Sequence, residues 1–308
     1  MNEARILNNN ELALELANLF TDSFSKYFTL SEAINDFAIK LRIFNNLKTT
    51  SISNTLLDYN KKRNGLLDFN FKDVQPLKSP MGKMSKRLYS SLANDYNITC
   101  ESRLKSFMSF FKKVLLYVEN NRSIIFIPDT IGQRYIVTGK TEQEEISCCY
   151  EITKKILDFL LLEERAQMME TSPSRNVSKN IPEGILLPTS EDIAQLSEIH
   201  DYNSSLIKDY IMNPKQNGYQ NLQFTVFLTS LMLPLELQIR GSSMHIRAET
   251  SEAIQHELYK SSKYDSDIIN TFLNNIQWGD IKILGYSSNI PDKIGFLEPY
   301  NFIQFNNF

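Results

Sequence analysis

Residues 221–241 read "NLQFTVFLTSLMLPLELQIRG". In the second half apolar and polar side chains alternate. Leu235, Leu237 and Ile239 fall on one side of an extended chain, and Glu236, Gln238 and Arg240 on the other. The first half, "NLQFTVFLT", is rich in β-branched and aromatic residues and is separated from "LPLELQIRG" by a short link, so the two read as strands of a hairpin. Three polar groups aligned on one strand face suit a ligand site on a covered sheet, and a solvated sheet face explains them too.

Working outward, "KDYIMNPKQNGYQ" precedes the hairpin. Pro214 and Gly218 supply a turn, Lys215 and Asn217 offer donors, and Tyr219 presents a ring on which a base can stack. Packing on a core edge is the commoner fate of such a tyrosine. After the hairpin, "SSMHIRAETSEAIQHELYK" reads as a helix with Ser242 and Ser243 as caps. Nearer the amino terminus, residues 11–47 carry apolar side chains at three- and four-residue spacing, which predicts packed amphipathic helices. Residues 60–87 mix Gly, Pro and scattered cations and read as a loop-rich connection with a solvated surface. A helix-like segment covers 100–118, a strand follows "PDTIG", residues 142–170 return to helical spacing, 171–190 read as an exposed loop, and 191–206 as a short helical piece. The class expected is α+β: a mixed sheet flanked by helices, with a helical region at 1–98, a central domain at 99–262 and an extension at 263–308.

The chain has 308 residues, 42% of them apolar and 22% charged, enough to bury a core in one large domain or two modest ones. A formal net charge of -3 gives no global attraction to nucleic acid or anionic membrane. The three cysteines, Cys100, Cys148 and Cys149, cannot build a disulfide framework, and reduced cytoplasmic thiols are expected. No stretch reaches the roughly 20 apolar residues of a spanning helix, and the first residues carry early acids instead of a signal-like apolar core. No membrane partner and a cytoplasmic location are the expectations.

Two further clusters stand at the edges of predicted elements. "RLKSFMSFFKK" combines Arg103, Lys105, Ser106, Ser109, Lys112 and Lys113; on a helix Lys105, Ser109 and Lys112 or Lys113 project from one side and suit a chain of phosphates. Taken alone, that run is better explained as a basic helix facing water. In "PDTIGQR", Asp129 can hold a divalent ion and Arg134 can neutralise phosphoryl oxygens bound to it, although a surface ion pair would read the same.

Taken in order, these segments resemble the RelA/SpoT-like family, alarmone synthetases that transfer pyrophosphate from ATP to the 3′-hydroxyl of a guanine nucleotide. "RLKSFMSFFKK" is similar to the family's Arg-x-Lys-Ser-x-x-Ser segment, and "PDTIGQRYIV" to its Asp-x-x-Gly-x-Arg element. "KDYIMNPKQNGYQNL" is similar to its acceptor loop, and "LELQIRGSSMHIRAETSEAIQHELYK" to its Glu-x-Gln-Ile-Arg strand and following helix. The resemblance covers about 101–139 and 207–260. It implies a nucleotidyltransferase-like fold and magnesium held by Asp129 and Glu236. Glu236 would also help remove the acceptor's proton. Arg103 would stack on adenine, while Lys105, Ser109, Lys113 and Arg134 would grip the ATP phosphates. Tyr219 would stack on the acceptor base, with Lys215, Asn217, Gln238, Arg240 and His245 orienting the acceptor. Such chemistry needs positioning and positive charge around spreading negative charge, not a covalent nucleophile.

The chain departs from the family pattern at Asn221-Leu222-Gln223, where Ser-Leu-His is usual, and at Gly241, where Thr is usual. An acceptor-side histidine is therefore missing, which puts the identity of the acceptor in question more than the reaction. Relatives that act as toxins, on the tRNA 3′ end or by making adenosine alarmones, would fit such a change, with an antitoxin as partner. The net charge weighs against tRNA, and a basic strip from Lys72 to Arg87 would offset it. A nucleotide-binding module without turnover is the remaining reading; retention of both carboxylates argues against it. Small synthetases of this kind often form homo-oligomers. The chain has three histidines, so the His200-Asp201 pair is read as accidental and no hydrolase activity is expected. His256 is expected to pack within its helix.

Overall fold

The structure is a computed structural model that describes residues 7–43, 47–67, 80–125, 127–170, 184–198, 206–215, 218–248, 266–282 and 303–305. His200, Asp201, Asn217 and His256 lie outside the described residues. The chain forms two compact units that interleave along the sequence: residues 1–76, 106–127 and 260–299 make one, and 77–105, 128–259 and 300–308 the other.

The first unit is helical. It contains α1 (Asn9–Lys26), α2 (Leu30–Ile43), α3 (Leu47–Leu67), α5 (Phe107–Glu119) and α9 (Asp267–Asn275). α1 begins where Asn8 and Glu11 cap each other: Glu11 N–H donates to Asn8 Oδ1 at 2.9 Å and Asn8 N–H to Glu11 Oε2 at 3.0 Å. Its apolar stripe, Leu12, Ala13, Leu16, Ala17, Phe20 and Phe24, is buried as the spacing predicts. Aromatic rings fill the centre. Phe20 stacks on Phe24 with centroids 3.9 Å apart and meets Phe37 and Phe272 edge-on, while Phe107 stacks on Phe111. Each such pair contributes about 0.5–1.5 kcal/mol beyond its buried area.

The second unit is built on a mixed sheet. Its strands are β1 (Ile98–Leu104), β2 (Ile131–Val137), β3 (Gln167–Met168), β4 (Lys208–Asp209), β5 (Leu222–Leu228), β6 (Leu233–Gly241) and β7 (Ile303–Phe305). The order is β3-β5-β6-β2-β1-β7, with β4 also on β5. β2 and β6 run parallel and the other pairs antiparallel. The hairpin expected at 221–241 is present as β5 and β6, with Thr225 opposite Glu236 and Gln223 opposite Gln238.

Because paired residues share a face, the register sorts side chains into two sets. Glu101, Arg134, Glu236, Gln238, Arg240, Gln223 and Thr225 lie on one face. Cys100, Tyr135, Leu235, Leu237, Ile239, Leu222, Phe224 and Val226 lie on the other, all buried. α6 (Glu142–Asp158) packs on β2, β5 and β6, and α4 (Pro80–Ala93) on β1 and α6. From α4, Ser85 accepts from Gln133 Nε2 on the apolar face at 2.5 Å. The three cysteines are free, and burial pushes the Cys100 thiol up to about 12, which leaves it inert at neutral pH.

Three sequence expectations are corrected here. The helix expected over 100–118 is a strand to Leu104 followed by α5, because Ser106 stops the strand and caps the helix, accepting from Ser109 N–H at 3.3 Å. Lys105, Ser109 and Lys113 therefore do not share a helical face. The connection expected at 60–87 is helical at both ends: α3 runs on to Leu67 and α4 begins at Pro80, the first helical position that proline tolerates. Ser242 and Ser243 stand inside the helical residues 242–248 (α8) and donate to Glu145 of α6, so an acid from another element caps this helix. No helix among the described residues is long and apolar enough to cross a membrane.

Candidate functional site

The polar face of the sheet gathers charged and uncharged polar groups from four strands. At the start of β2, Asp129 has φ of +66°, a left-handed conformation that costs most residues energy and that Asp tolerates better than most. Its Oδ2 lies 3.1 Å from Lys105 Nζ, and Lys105 N–H donates to Thr130 O at 2.8 Å, so the end of β1 is tied to the entry of β2. Along β2, Arg134 stands opposite Glu101 on β1 and opposite Gln238 on β6. Its guanidinium meets Glu101 Oε2 at 3.2 Å, with both side chains mostly buried.

Glu236 lies beside Gly132, which adds no side chain on β2, and is buried. Its two oxygens are held separately: Gln223 Nε2 donates to Oε1 at 2.6 Å and Gln238 Nε2 to Oε2 at 3.1 Å. A carboxylate only accepts, so both amides must turn their nitrogens toward it. At the far end of β6, Arg240 is 1% exposed and contacts His245 Nδ1 from α8. A guanidinium has only donors, so Nδ1 accepts and a neutral ring carries its proton on Nε2.

The acceptor-loop candidates converge on two rings. Lys215 Nζ sits 4.7 Å from the Tyr210 ring and 4.5 Å from the Tyr219 ring, which meet edge to face at 6.3 Å. Gly218, at φ of +77°, makes the turn: its N–H donates to Lys215 O at 2.8 Å, and Lys215 N–H to Tyr219 O at 3.2 Å. Asn221 Nδ2 donates to the Tyr219 hydroxyl at 3.0 Å. At the loop's base, Asp209 accepts from the N–H groups of Ile211 and Met212, and from the Tyr150 hydroxyl at 2.6 Å. Burial raises the Asp209 carboxyl above its ordinary value, and these donors offset part of that rise.

The sheet unit thus pairs Lys105 with Asp129, Arg240 with His245, and Lys215 with Tyr219, and it brings Gln238 to Glu236. Arg103 lies on β1 with its backbone opposite Gly132. Ser109 and Lys113 are on α5 of the helical unit, where Lys113 Nζ is 5.7 Å from the Tyr117 ring. Glu101, Asp209 and Glu145 escaped the sequence reading, which met Gln223 only as a departure from the family pattern and not as a partner of Glu236. Glu101 and Gln223 could have been found by extending the two-residue alternation of β6 to its neighbours. Asp209 and Glu145 show their roles only through contacts distant in sequence.

Asp129 precedes Gly132, the residue opposite Glu236, by three positions, at most about 10 Å of strand. Asp129, in the turn before β2, and Glu236, on β6, are both hard-oxygen donors. Among the described residues no group of three or more His, Cys, Asp or Glu could hold a metal ion. Two such carboxylates fit magnesium, which takes one or two and completes its shell with water and substrate phosphates.

Carboxylates, cations and amides thus share one sheet face. Residues 186–264 match the model of the region found in RelA / SpoT proteins. A probable chloroplastic GTP diphosphokinase of Arabidopsis thaliana is 43% identical over 74 residues, 23% of this chain and 10% of that protein. A GTP pyrophosphokinase of Haemophilus influenzae is 38% identical over 84 residues, 27% of this chain and 11% of that protein. The matched stretch spans about a tenth of these curated relatives. The small alarmone synthetase 1 of Bacillus subtilis, solved with its product pppGpp, superposes with a TM-score of 0.34 at 16% identity over 70% of this chain and 90% of that one, too loosely to bear on activity. The family match holds β5, β6, Tyr219, Glu236 and His245; Lys105, Asp129 and Arg134 lie outside it.

Proposed function

We propose that the protein transfers pyrophosphate from ATP to the 3′-hydroxyl of a guanine nucleotide, GDP or GTP, with magnesium as cofactor. The observation that carries this reading is Glu236, a buried carboxylate on the polar sheet face whose two oxygens are fixed by Gln223 and Gln238. It stands on β6, the second strand after the loop that bears Tyr219, within the residues that match the RelA / SpoT model. In the step, the acceptor 3′-oxygen bonds to the β-phosphorus of ATP, the bond from that phosphorus to the oxygen bridging to the α-phosphate breaks, and AMP leaves. Glu236 takes the proton of the 3′-hydroxyl. Lys105 and Arg134 hold the phosphates, and Arg103 stacks on adenine. Tyr219 carries the acceptor base, and Lys215, Asn217, Gln238, Arg240 and His245 orient the acceptor. Asp129 and Glu236 would hold magnesium, which supplies charge against the oxygens of the transferred group.

A second reading keeps the donor chemistry and changes the acceptor to an adenosine nucleotide or the tRNA 3′ end. Gln223 favours it: at a position where the family usually has histidine, this chain places an amide on Glu236. The test is incubation of the purified protein with γ-labelled ATP and magnesium, offering GDP, GTP, AMP, ATP and tRNA separately and resolving the products. Label on GDP or GTP supports the first reading and label on AMP, ATP or tRNA the second. Absence of transfer to all five sinks both.

A further inference from the structure

The start of α6 lies behind the sheet, away from the polar face, yet two of its acids reach the acceptor side. Glu145 is 3% exposed. Its Oε1 accepts from the Ser242 hydroxyl, and its Oε2 accepts from Ser243 N–H at 3.0 Å and the Ser243 hydroxyl at 2.6 Å. These bonds fix the corner where β6 becomes α8, the corner that sets Arg240 against His245. The carboxylate fits there only because residue 241 is glycine. A Cβ at Gly241 would lie 2.6 Å from Glu145 Oε2 and 2.9 Å from Glu145 Cβ, closer than real contacts allow.

One turn earlier, Glu142 Oε1 takes a bond from Arg247 of α8 at 2.5 Å, and the same Arg247 nitrogen donates to Gln220 Oε1 at 3.0 Å. Gln220 is 1% exposed, and its Nε2 donates to Leu186 O at 2.9 Å and Ile211 O at 3.2 Å. It follows Tyr219 directly in the chain, so this relay pins the end of the loop that carries the stacking ring. Both acids also sit in the first turn of α6, where the helix dipole favours negative charge.

We infer that Glu142 and Glu145 are positioning residues for the acceptor, acting from behind the sheet through Arg247–Gln220 and through the β6–α8 corner, and that Gly241 is glycine to admit Glu145. This rests on the proposed transfer reaction. Neither acid touches a substrate, so their loss should change acceptor use and leave ATP use alone.

The experiment compares KM for ATP and for the acceptor, kcat and thermal melting in the unaltered protein, Glu142→Gln, Gly241→Thr, Glu145→Ala and the double variant Glu145→Ala/Gly241→Thr. Glu142→Gln should raise the acceptor KM about tenfold, the size of one lost charged hydrogen bond, with the ATP KM and the melting temperature little changed. Gly241→Thr should raise the acceptor KM at least as much, and the double variant should be less impaired than the product of the two single effects, because the 2.6 Å clash with Oε2 goes with the carboxylate and only the 2.9 Å approach of the two Cβ atoms stays. Equal changes in both KM values, or no change in Glu142→Gln, would overturn the inference, as would strictly multiplicative effects in the double variant. Should Gly241→Thr not fold, Glu142→Gln alone decides. Absence of transfer by the unaltered protein would instead overturn the reaction itself and this inference with it.

Discussion

The two ends of the polar sheet face are held by different chemistry. On β1 and β2 the groups assigned to the phosphate donor neutralise one another, Lys105 with Asp129 and Arg134 with Glu101. On β5, β6 and the preceding loop the contacts described for the proposed acceptor groups are amides on Glu236, an imidazole on Arg240 and aromatic rings around Lys215. Opposite charges already in contact are partners that a metal–phosphate ligand can exchange, since such a ligand brings both signs with it. Amide and ring contacts instead set direction without consuming charge, which suits a base and a hydroxyl that must arrive in one orientation. On the proposed assignment, the donor end would rearrange on binding and the acceptor end would stay as it is.

The comparison can be broken in several ways, beginning with the largest effect. Glu236→Gln keeps the shape and removes the proton acceptor; kcat should fall about a thousandfold in the label-transfer assay, with ATP binding retained. Arg134→Gln should raise the KM for ATP by roughly ten- to a hundredfold while the acceptor KM stays put, and should lower the melting temperature because Glu101 loses a mostly buried partner. Tyr219→Ala should raise the acceptor KM about tenfold and Tyr219→Phe much less, since the stacking face survives; equal KM values for Tyr219→Ala and the unaltered protein would remove Tyr219 from the site.

The smallest effect concerns pH. Burial pushes the Glu145 carboxyl up, but the bonds from Ser242, Ser243 and Gly139 outweigh it and leave it below the ordinary value of 4.5. Its folded value is depressed, so the stability it adds is present above 4.5 and is lost as pH falls through the folded value. Urea midpoints measured from pH 6 downward should decline less steeply in Glu145→Gln than in the unaltered protein. Parallel curves would show that the carboxylate's charge plays no part at that corner.

How much of this could be read from the sequence differs by region for physical reasons. The hairpin was legible because alternation is a local signal: Glu236, Gln238 and Arg240 lie on one face as their spacing requires, with Leu235, Leu237 and Ile239 buried behind them. The β1–α5 junction was not, because Leu104, Phe107, Phe110 and Phe111 continue an apolar rhythm across the strand end, and only the Ser106 cap breaks it. α4 was hidden by Pro80, Gly82 and three cations, although Met81, Met84, Leu88 and Leu92 are buried at helical spacing. In the site, residue types pointed to phosphate chemistry. The hydrogen bond from Gln223 to Glu236 and the place of Glu145 beside Gly241 depend on register and on contacts distant in sequence. The departure at Gly241 was visible in the sequence, and the side chain that requires it was not.

The central claim, that Glu236 on the polar sheet face performs pyrophosphate transfer, is tested most directly by following AMP and labelled acceptor together. The unaltered protein and Glu236→Gln would each be given γ-labelled ATP, magnesium and GDP or GTP. The account predicts AMP and labelled guanine nucleotide in equal amounts from the unaltered protein, and about a thousandfold slower formation of both from a Glu236→Gln variant that still binds ATP. Undiminished transfer by folded Glu236→Gln, or AMP released with no labelled acceptor, would contradict it.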